Sequence, residues 1–398
     1  MKLKQQPADF QVEELTAVTP VADGPYAFYQ LNKHGWSSLD AFQAIRRRWQ
    51  LTPQRLSYGG LKDKHAHTVQ YFSIHHGPRR GLRQTGIDVR YLGQLAEPYT
   101  SAQMAGNRFR LTLRAVTDAE WACVRPRLLA VARWGVPNYF DDQRFGSVMA
   151  EGAFMAKAWV LGDYEEALRR ALTAPYKHDR PPQKKEKAIL KAHWGDWRQC
   201  KAELPRGHAR SLVTYLVDHP TNFRGALARL RGDLASLYLA AYQSYLWNRL
   251  LAEWLRRQLP ADQLIPLPLR LDVVPIYRHL DDEQGARLAE QRLPLPTARC
   301  RLPDDDPLLP LVRHVLAAEG IELSQLKIKG ERQPFFARGD RTVMCLPRDL
   351  SHQLDADERH PGKHKLILSF TLPPGSYATL IVKAIFAPGV SHTARGED

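Results

Sequence analysis

One acidic residue stands out for where it is placed. In Gly60-Leu61-Lys62-Asp63-Lys64-His65-Ala66-His67-Thr68-Val69-Gln70, Asp63 lies in a glycine-led stretch directly before a run rich in β-branched and aromatic residues, Thr68 to Ile74. The pattern predicts a loop feeding a strand. Such a loop can present a single carboxylate to a ligand, as nucleophile or as base. An Asp between two lysines beside glycine also describes an ordinary solvated turn.

The remaining reactive residue types narrow the chemistry. Cys123, Cys200, Cys300 and Cys345 lie far apart with no CxxC pair, so reduced thiols are expected rather than a zinc site or a disulfide framework. His360 and His364 have ligand spacing, but Pro361 and Gly362 between them forbid the helix that would make it useful. No GxxxxGK loop or strand-linked GxGxxG occurs, which argues against nucleotide-driven chemistry. A metal-dependent nuclease is disfavoured, because no cluster of carboxylates or histidines has ligand spacing.

A chain of 398 residues, 44% hydrophobic, is long enough for two cores. Its 57 Lys and Arg against 42 Asp and Glu leave a formal charge of +15. That favours a polyanionic partner, nucleic acid above all, although excess charge also serves solubility. The first residues hold no apolar run of signal-peptide length, and no later stretch approaches the ~18 residues of a membrane span. A soluble, cytoplasmic protein with no membrane partner is expected.

Certain elements must position Asp63. Tyr26 to Leu31 reads as a strand, followed by a helix capped at Ser37 with Leu39, Phe42, Ile45 and Trp49 on one face. Arg46, Arg47 and Arg48 on that helix suit either phosphate contact or a solvated surface. From Arg108 to Ala115, Phe109, Leu111, Leu113 and Ala115 alternate with Arg108, Arg110, Thr112 and Arg114, predicting a strand with one core face and one basic face. Thr117 and Glu120 form a capping box opening a helix, in which Pro126 predicts a kink or a late start. Pro137 to Gly146 reads as a loop.

Beyond Gly146 the texture turns helical. Tyr176 to Lys191, dense in Lys, Arg and Pro, suits a surface loop able to meet phosphates or a disordered linker. Ala235 to Leu259 predicts a long helix, with Leu239, Tyr242, Leu246 and Leu250 at helical spacing. Prolines at 260, 266, 268, 275, 294, 296, 303, 307 and 310 predict an irregular connection rather than a sheet. Lys365 to Leu372 alternates again, as a terminal strand able to rejoin the first sheet.

Several segments, taken in order, resemble the TruD family of tRNA pseudouridine synthases. Lys4 with Asp9-Phe10-Gln11-Val12-Glu13-Glu14 is similar to that family's opening Lys and DFxVxE motif, and Gly60 to Gln70 matches its GxKDxxAxTxQ loop. Gly106-Asn107-Arg108-Phe109, Pro137-Asn138-Tyr139-Phe140, Gln143-Arg144-Phe145-Gly146, Tyr242 to Asn248 and Leu372 to Thr379 complete the series. The resemblance implies an α+β fold: a mixed, largely antiparallel sheet catalytic domain of pseudouridine synthase type with a mostly helical insertion. The expected divisions are 1–146 and 346–398 for the catalytic domain and 147–345 for the insertion.

It further implies isomerisation of uridine to pseudouridine, at uridine-13 of tRNA. That reaction breaks the bond between uracil N1 and ribose, turns the base and rejoins it through C5. Atoms and oxidation state are conserved, so no cofactor is expected; RNA is the expected partner and a monomer the expected state. By the same resemblance Asp63 is the catalytic carboxylate, Lys4 its cation, and Phe109 the ring against the target base. Asn107 would hydrogen-bond Asp63 or substrate, Phe10 and Glu14 would wall Lys4, and Asn138 and Arg144 would order their loop or grip phosphate. Asp141 departs from the family's common Gly, and Tyr242 to Asn248 looks more like the archaeal and eukaryotic branch. A non-catalytic RNA-binding or RNA-folding protein on the same scaffold is the alternative.

Overall fold

The computed structural model describes residues 1–148, 152–176, 179–328 and 335–387. Two compact units emerge, one comprising Met1–Val136 with Cys345–Phe386, the other Pro137–Met344. The segment 137–146, expected with the first module, thus groups with the second. Phe140 explains this, because its amide and carbonyl are both bonded at 2.8 Å by the Asn248 side chain of the second unit's long helix.

The first unit is built on a sheet of β1 (Phe10–Thr16), β2 (Tyr26–Lys33), β3 (Leu56–Tyr58), β4 (His67–His75), β5 (Leu82–Gln84), β6 (Ile87–Leu95), β7 (Met104–Val116), β8 (Arg348–Ala356) and β9 (His364–Leu372). The order is β8-β9-β7-β1-β4-β2-β6-β5, with β3 beside β4. Among these strands β1 and β4 run parallel, Gln11 facing His67 and Glu13 facing Val69, and the other pairings are antiparallel. Parallel neighbours start at the same end of a sheet. The residues entering β1 and the loop entering β4 therefore meet there.

Register also decides what shares a face. Glu14 lies opposite Asn107 and Val12 opposite both Phe109 and Thr68, while Lys33 pairs with Thr68 and Leu31 with Gln70. Lys33, Thr68, Gln70, Glu14 and Asn107 thus form a polar band on one face. All but Asn107 are fully buried, which marks the band as a place where polarity is kept for a reason. On one flank of the band, Tyr29, Leu31, Phe72, Ile74 and Val89 pack against Ala41, Phe42 and Ile45 of the helix Ser38–Arg48. Ser37 caps that helix by accepting from the Asp40 amide. Leu39, expected on the buried face, is 55% exposed: the stripe centres on positions 38, 41, 42 and 45, leaving Leu39 beyond its edge.

Strand β7 keeps its predicted alternation only as far as Leu113. Arg114, expected on the basic outer face, is buried, because Ala115 adopts a left-handed φ of 57° and the pairing with β9 slips between His364 and Leu366. This bulge turns Arg114 inward, onto Asp9 at 2.9 Å, Asp357 at 3.0 Å and Glu358 at 2.9 Å. Helix Asp118–Trp134 begins at its Thr117 cap and runs through Pro126, so the late start does not occur. It stops at Gly135, whose φ of 74° and close approach to the Cys345 carbonyl exclude a side chain.

The second unit is mostly helical, with Gly232–Gln258 the longest helix and Leu239, Tyr242, Leu246 and Leu250 buried along it. Two expectations fail here. The proline-rich stretch forms a two-stranded ribbon, Leu264–Pro268 with Val273–Tyr277, in which Pro266 sits directly opposite Pro275. Two prolines can face each other only at a pair that exchanges no backbone hydrogen bonds, so the ladder loses nothing. The basic stretch near 180 contains the helix Pro181–Ala192 instead of a loop, because its two prolines fall in the first turn, where an amide has no helical partner. Lys177 lies outside the described residues.

Candidate active site

Asp63 is four residues before β4 and Lys4 six before β1, and the shared entry end brings them together: Lys4 Nζ donates to Asp63 Oδ2 at 2.5 Å. The other carboxylate oxygen accepts from the His65 amide at 3.0 Å, closing a local turn. Burial pushes the Asp63 pKa up, but the Lys4 hydrogen bond, the His65 amide and the Lys4 charge outweigh it, holding the carboxyl below the ordinary Asp value. Asp63 is thus ionised at neutral pH, yet only about a fifth exposed, at 22%.

Lys4 is itself constrained. Its backbone takes a left-handed φ of 58°, a conformation that costs an L-residue roughly 1–2 kcal/mol. Neighbouring contacts hold it there: Lys2 exchanges backbone hydrogen bonds of 2.7 and 2.8 Å with Arg114, and Gln6 is bonded to Asp9. Phe10 lies beneath the ammonium, Nζ standing 4.1 Å from the ring centroid. Phe109 meets Phe10 edge-on at 6.3 Å and packs on Phe370 at 5.6 Å, so an aromatic wall leads away from the ion pair. Phe109 is buried on the strand face where alternation placed it.

Two expected contacts are different in the structure. Glu14 does not wall Lys4; it is fully buried, accepts from Tyr99 Oη at 2.9 Å, and stands 2.9 Å from Lys62 Nζ as a charge pair rather than a directed hydrogen bond. Asn107 Oδ1 accepts from the same Lys62 ammonium instead of engaging Asp63. Both follow from register: Glu14 and Asn107 face each other across β1 and β7, and Lys62 reaches into the gap between them.

The loop is also fixed from behind. Fully buried Lys33 donates to the Asp63 carbonyl at 2.9 Å, the Lys62 carbonyl at 3.4 Å and the Trp36 carbonyl at 2.9 Å. Ser38 Oγ accepts from the Lys62 amide at 2.7 Å and donates to Gln70 Oε1 at 2.7 Å. Burial lowers the Lys33 pKa to about 8, against the opposing pull of the Asp63 charge. Sequence reasoning passed over Lys33, although it falls in phase with Ala27, Tyr29 and Leu31 on the core face of β2; a lysine in an apolar alternation was the available signal.

Asn138 and Arg144 belong to the second unit, and their contacts there are internal. Asn138 donates to the Thr342 carbonyl at 3.1 Å and accepts from Arg341 at 2.6 Å. Arg144 Nε donates to Ser244 Oγ at 3.0 Å, with its guanidinium over the Phe140 ring. These bonds tie the 137–146 segment to Thr342, Arg341 and Ser244 of its own unit.

A family model described as tRNA pseudouridine synthase D (TruD) matches residues 1–385. The chain is 30% identical to a protein of Methanococcus maripaludis assigned as tRNA pseudouridine synthase D 1, over 97% of this chain and 99% of that one. It is 29% identical to the tRNA pseudouridine synthase D of Aquifex aeolicus, over 98% and 99%. A crystal structure from Methanosarcina mazei, assigned as a TruD protein, superposes with a TM-score of 0.69 at 25% identity, covering 96% of this chain and 93% of that one. Matching in sequence and in overall fold along nearly its whole length, the chain belongs to the tRNA pseudouridine synthase D family of RNA-isomerising enzymes.

Proposed function

We propose that this protein isomerises uridine-13 of tRNA to pseudouridine, with Asp63 as the catalytic carboxylate and Lys4 as its cation. The observation that carries the reading is the Lys4–Asp63 contact, an ionised, largely sheltered carboxylate held between an ammonium and a backbone amide. Such a group can attack the sugar or base of an everted uridine, or take up a proton from it, without further activation. Cleavage of the bond between N1 and the ribose frees the uracil, and the bond reformed to the ribose through C5 leaves the product an isomer of the substrate. The C5 proton must leave after rejoining; in this reading it goes to Asp63 or water, because Phe10 and Phe109 carry no exchangeable group. The aromatic pair supplies a surface on which a flipped base can be kept, worth ~1–3 kcal/mol per stacked base. Asn107, Glu14 and Lys62 act through the loop's position, and Asn138 and Arg144 through the order of their own segment.

The test is incubation of unmodified tRNA with the wild-type protein and with Asp63→Asn, followed by mapping of pseudouridine. Wild type is expected to modify position 13 and the variant to bind tRNA without modifying it. RNA binding by both with isomerisation by neither would establish the non-catalytic alternative. Modification at another position would keep the activity and overturn the target.

A further inference from the structure

Charge in the second unit is segregated. Between Arg180 and Arg231 stand twelve Lys or Arg and four Asp or Glu, a net +8. The remainder of that unit's sequence, 137–179 and 232–344, holds 20 basic and 22 acidic residues. Charge kept for solubility alone has no reason to gather in one stretch, since like charges placed together repel.

The stretch is folded. Helices Pro181–Ala192, Trp197–Glu203, His208–Asp218 and Phe223–Leu227 pack in succession, burying Leu190, Trp197, Leu204, Leu212, Leu216 and Leu227. Part of its basic charge is used internally: Lys187 pairs with Asp179, Arg231 with Asp233, and Arg229 lies over the Tyr215 ring. Lys184, Lys185, Lys191, Arg198 and Arg206 are different. All are exposed, and their side chains have no hydrogen-bond or ion-pair partner among the described residues. Folded helices, and for Arg206 the turn between two of them, therefore display several unspent cations, the arrangement that neutralises a phosphate backbone with little ordering to be done on binding.

We propose that the helical segment 180–231 is an RNA-contacting surface, gripping backbone phosphates of the substrate beyond the short hairpin that bears the target uridine. It rests on the RNA-isomerase reading above and adds a place and a chemistry for the grip. Phosphate contact of this kind orients an RNA without reading its bases.

The test uses the full-length protein carrying Lys184→Gln, Lys185→Gln and Lys191→Gln together, and separately Arg198→Gln with Arg206→Gln. Binding and single-turnover pseudouridine formation are measured on whole tRNA and on a short hairpin bearing the target uridine. Each variant is expected to bind whole tRNA roughly tenfold more weakly, with a log–log salt slope smaller by about 2. The rate at saturation and the behaviour on the hairpin are expected to match wild type. Wild-type affinity and slope in both variants, on a wild-type enzyme that is active, would overturn the surface. An equal loss on the hairpin would overturn its assignment to phosphates beyond the hairpin. Failure of wild type to bind or modify any RNA would instead sink the underlying reading, and shows in the wild-type arm alone.

Discussion

At the scale of single residues, the proposed mechanism makes the pair Lys4 and Asp63 set the acid side of the pH range. Asp63 is held below its ordinary pKa chiefly by Lys4, so its ionised form, and the stability the pair confers, persist down through mildly acidic pH and vanish only as pH falls through the lowered value. Lys4→Met is expected to raise that value and move the acidic limb of the kcat/KM profile upward, with kcat at neutral pH reduced on the order of tenfold or more. A pH–rate series on both proteins checks it. Lys33→Met removes the donor to the Asp63, Lys62 and Trp36 carbonyls. It is expected to lower kcat on the order of tenfold while leaving KM for RNA within about twofold, since leaving buried acceptors unpaired costs ~1–3 kcal/mol each and loosens the loop. Steady-state kinetics on folded protein separates this from simple instability. Asp63 and Lys4 were legible because motifs name positions. Glu14 and Lys62 were legible as positions only; their pairing depends on which strands lie side by side, which no local pattern records.

At the scale of elements, periodicity located the strands and helices, and its failures have physical causes. Alternation in β7 named Phe109, Leu111 and Leu113 as core and missed Arg114, because one left-handed residue, Ala115, shifts the phase. The resulting cluster ties the entry of β1, through Asp9, to the segment after β8, through Asp357. Arg114→Met would leave two buried carboxylates without their cation. A loss of about 3–5 kcal/mol in stability is expected, read as a lower urea midpoint, with activity falling as the Lys4 segment is released. Proline density misled at 260–310 because a short ribbon can place prolines where no amide is needed. It misled again at 181–192, where two prolines start a helix.

At the scale of the molecule, two modules and a basic character were legible from length and composition, whereas strand order was not. Which strands neighbour β1 is decided by burial of whole faces, and a parallel β1–β4 pairing leaves no mark in either strand's own sequence. The net charge of +15 leads to a further expectation: affinity for tRNA should fall steeply with added salt, with a log–log slope of several units, as released counterions require. A flat response in a filter-binding series would point to a partner other than nucleic acid. The division of the first unit around the second also has a bearing on biosynthesis. Strand β7 is flanked by β1 and β9, and β9 follows the whole of the second unit in the chain. While the ribosome is still translating the helical module, one side of β7 therefore remains an open hydrogen-bonding edge, a template for wrong partners. The nascent polypeptide becomes safe from that hazard, and its active-site sheet complete, only once Leu372 has left the exit tunnel.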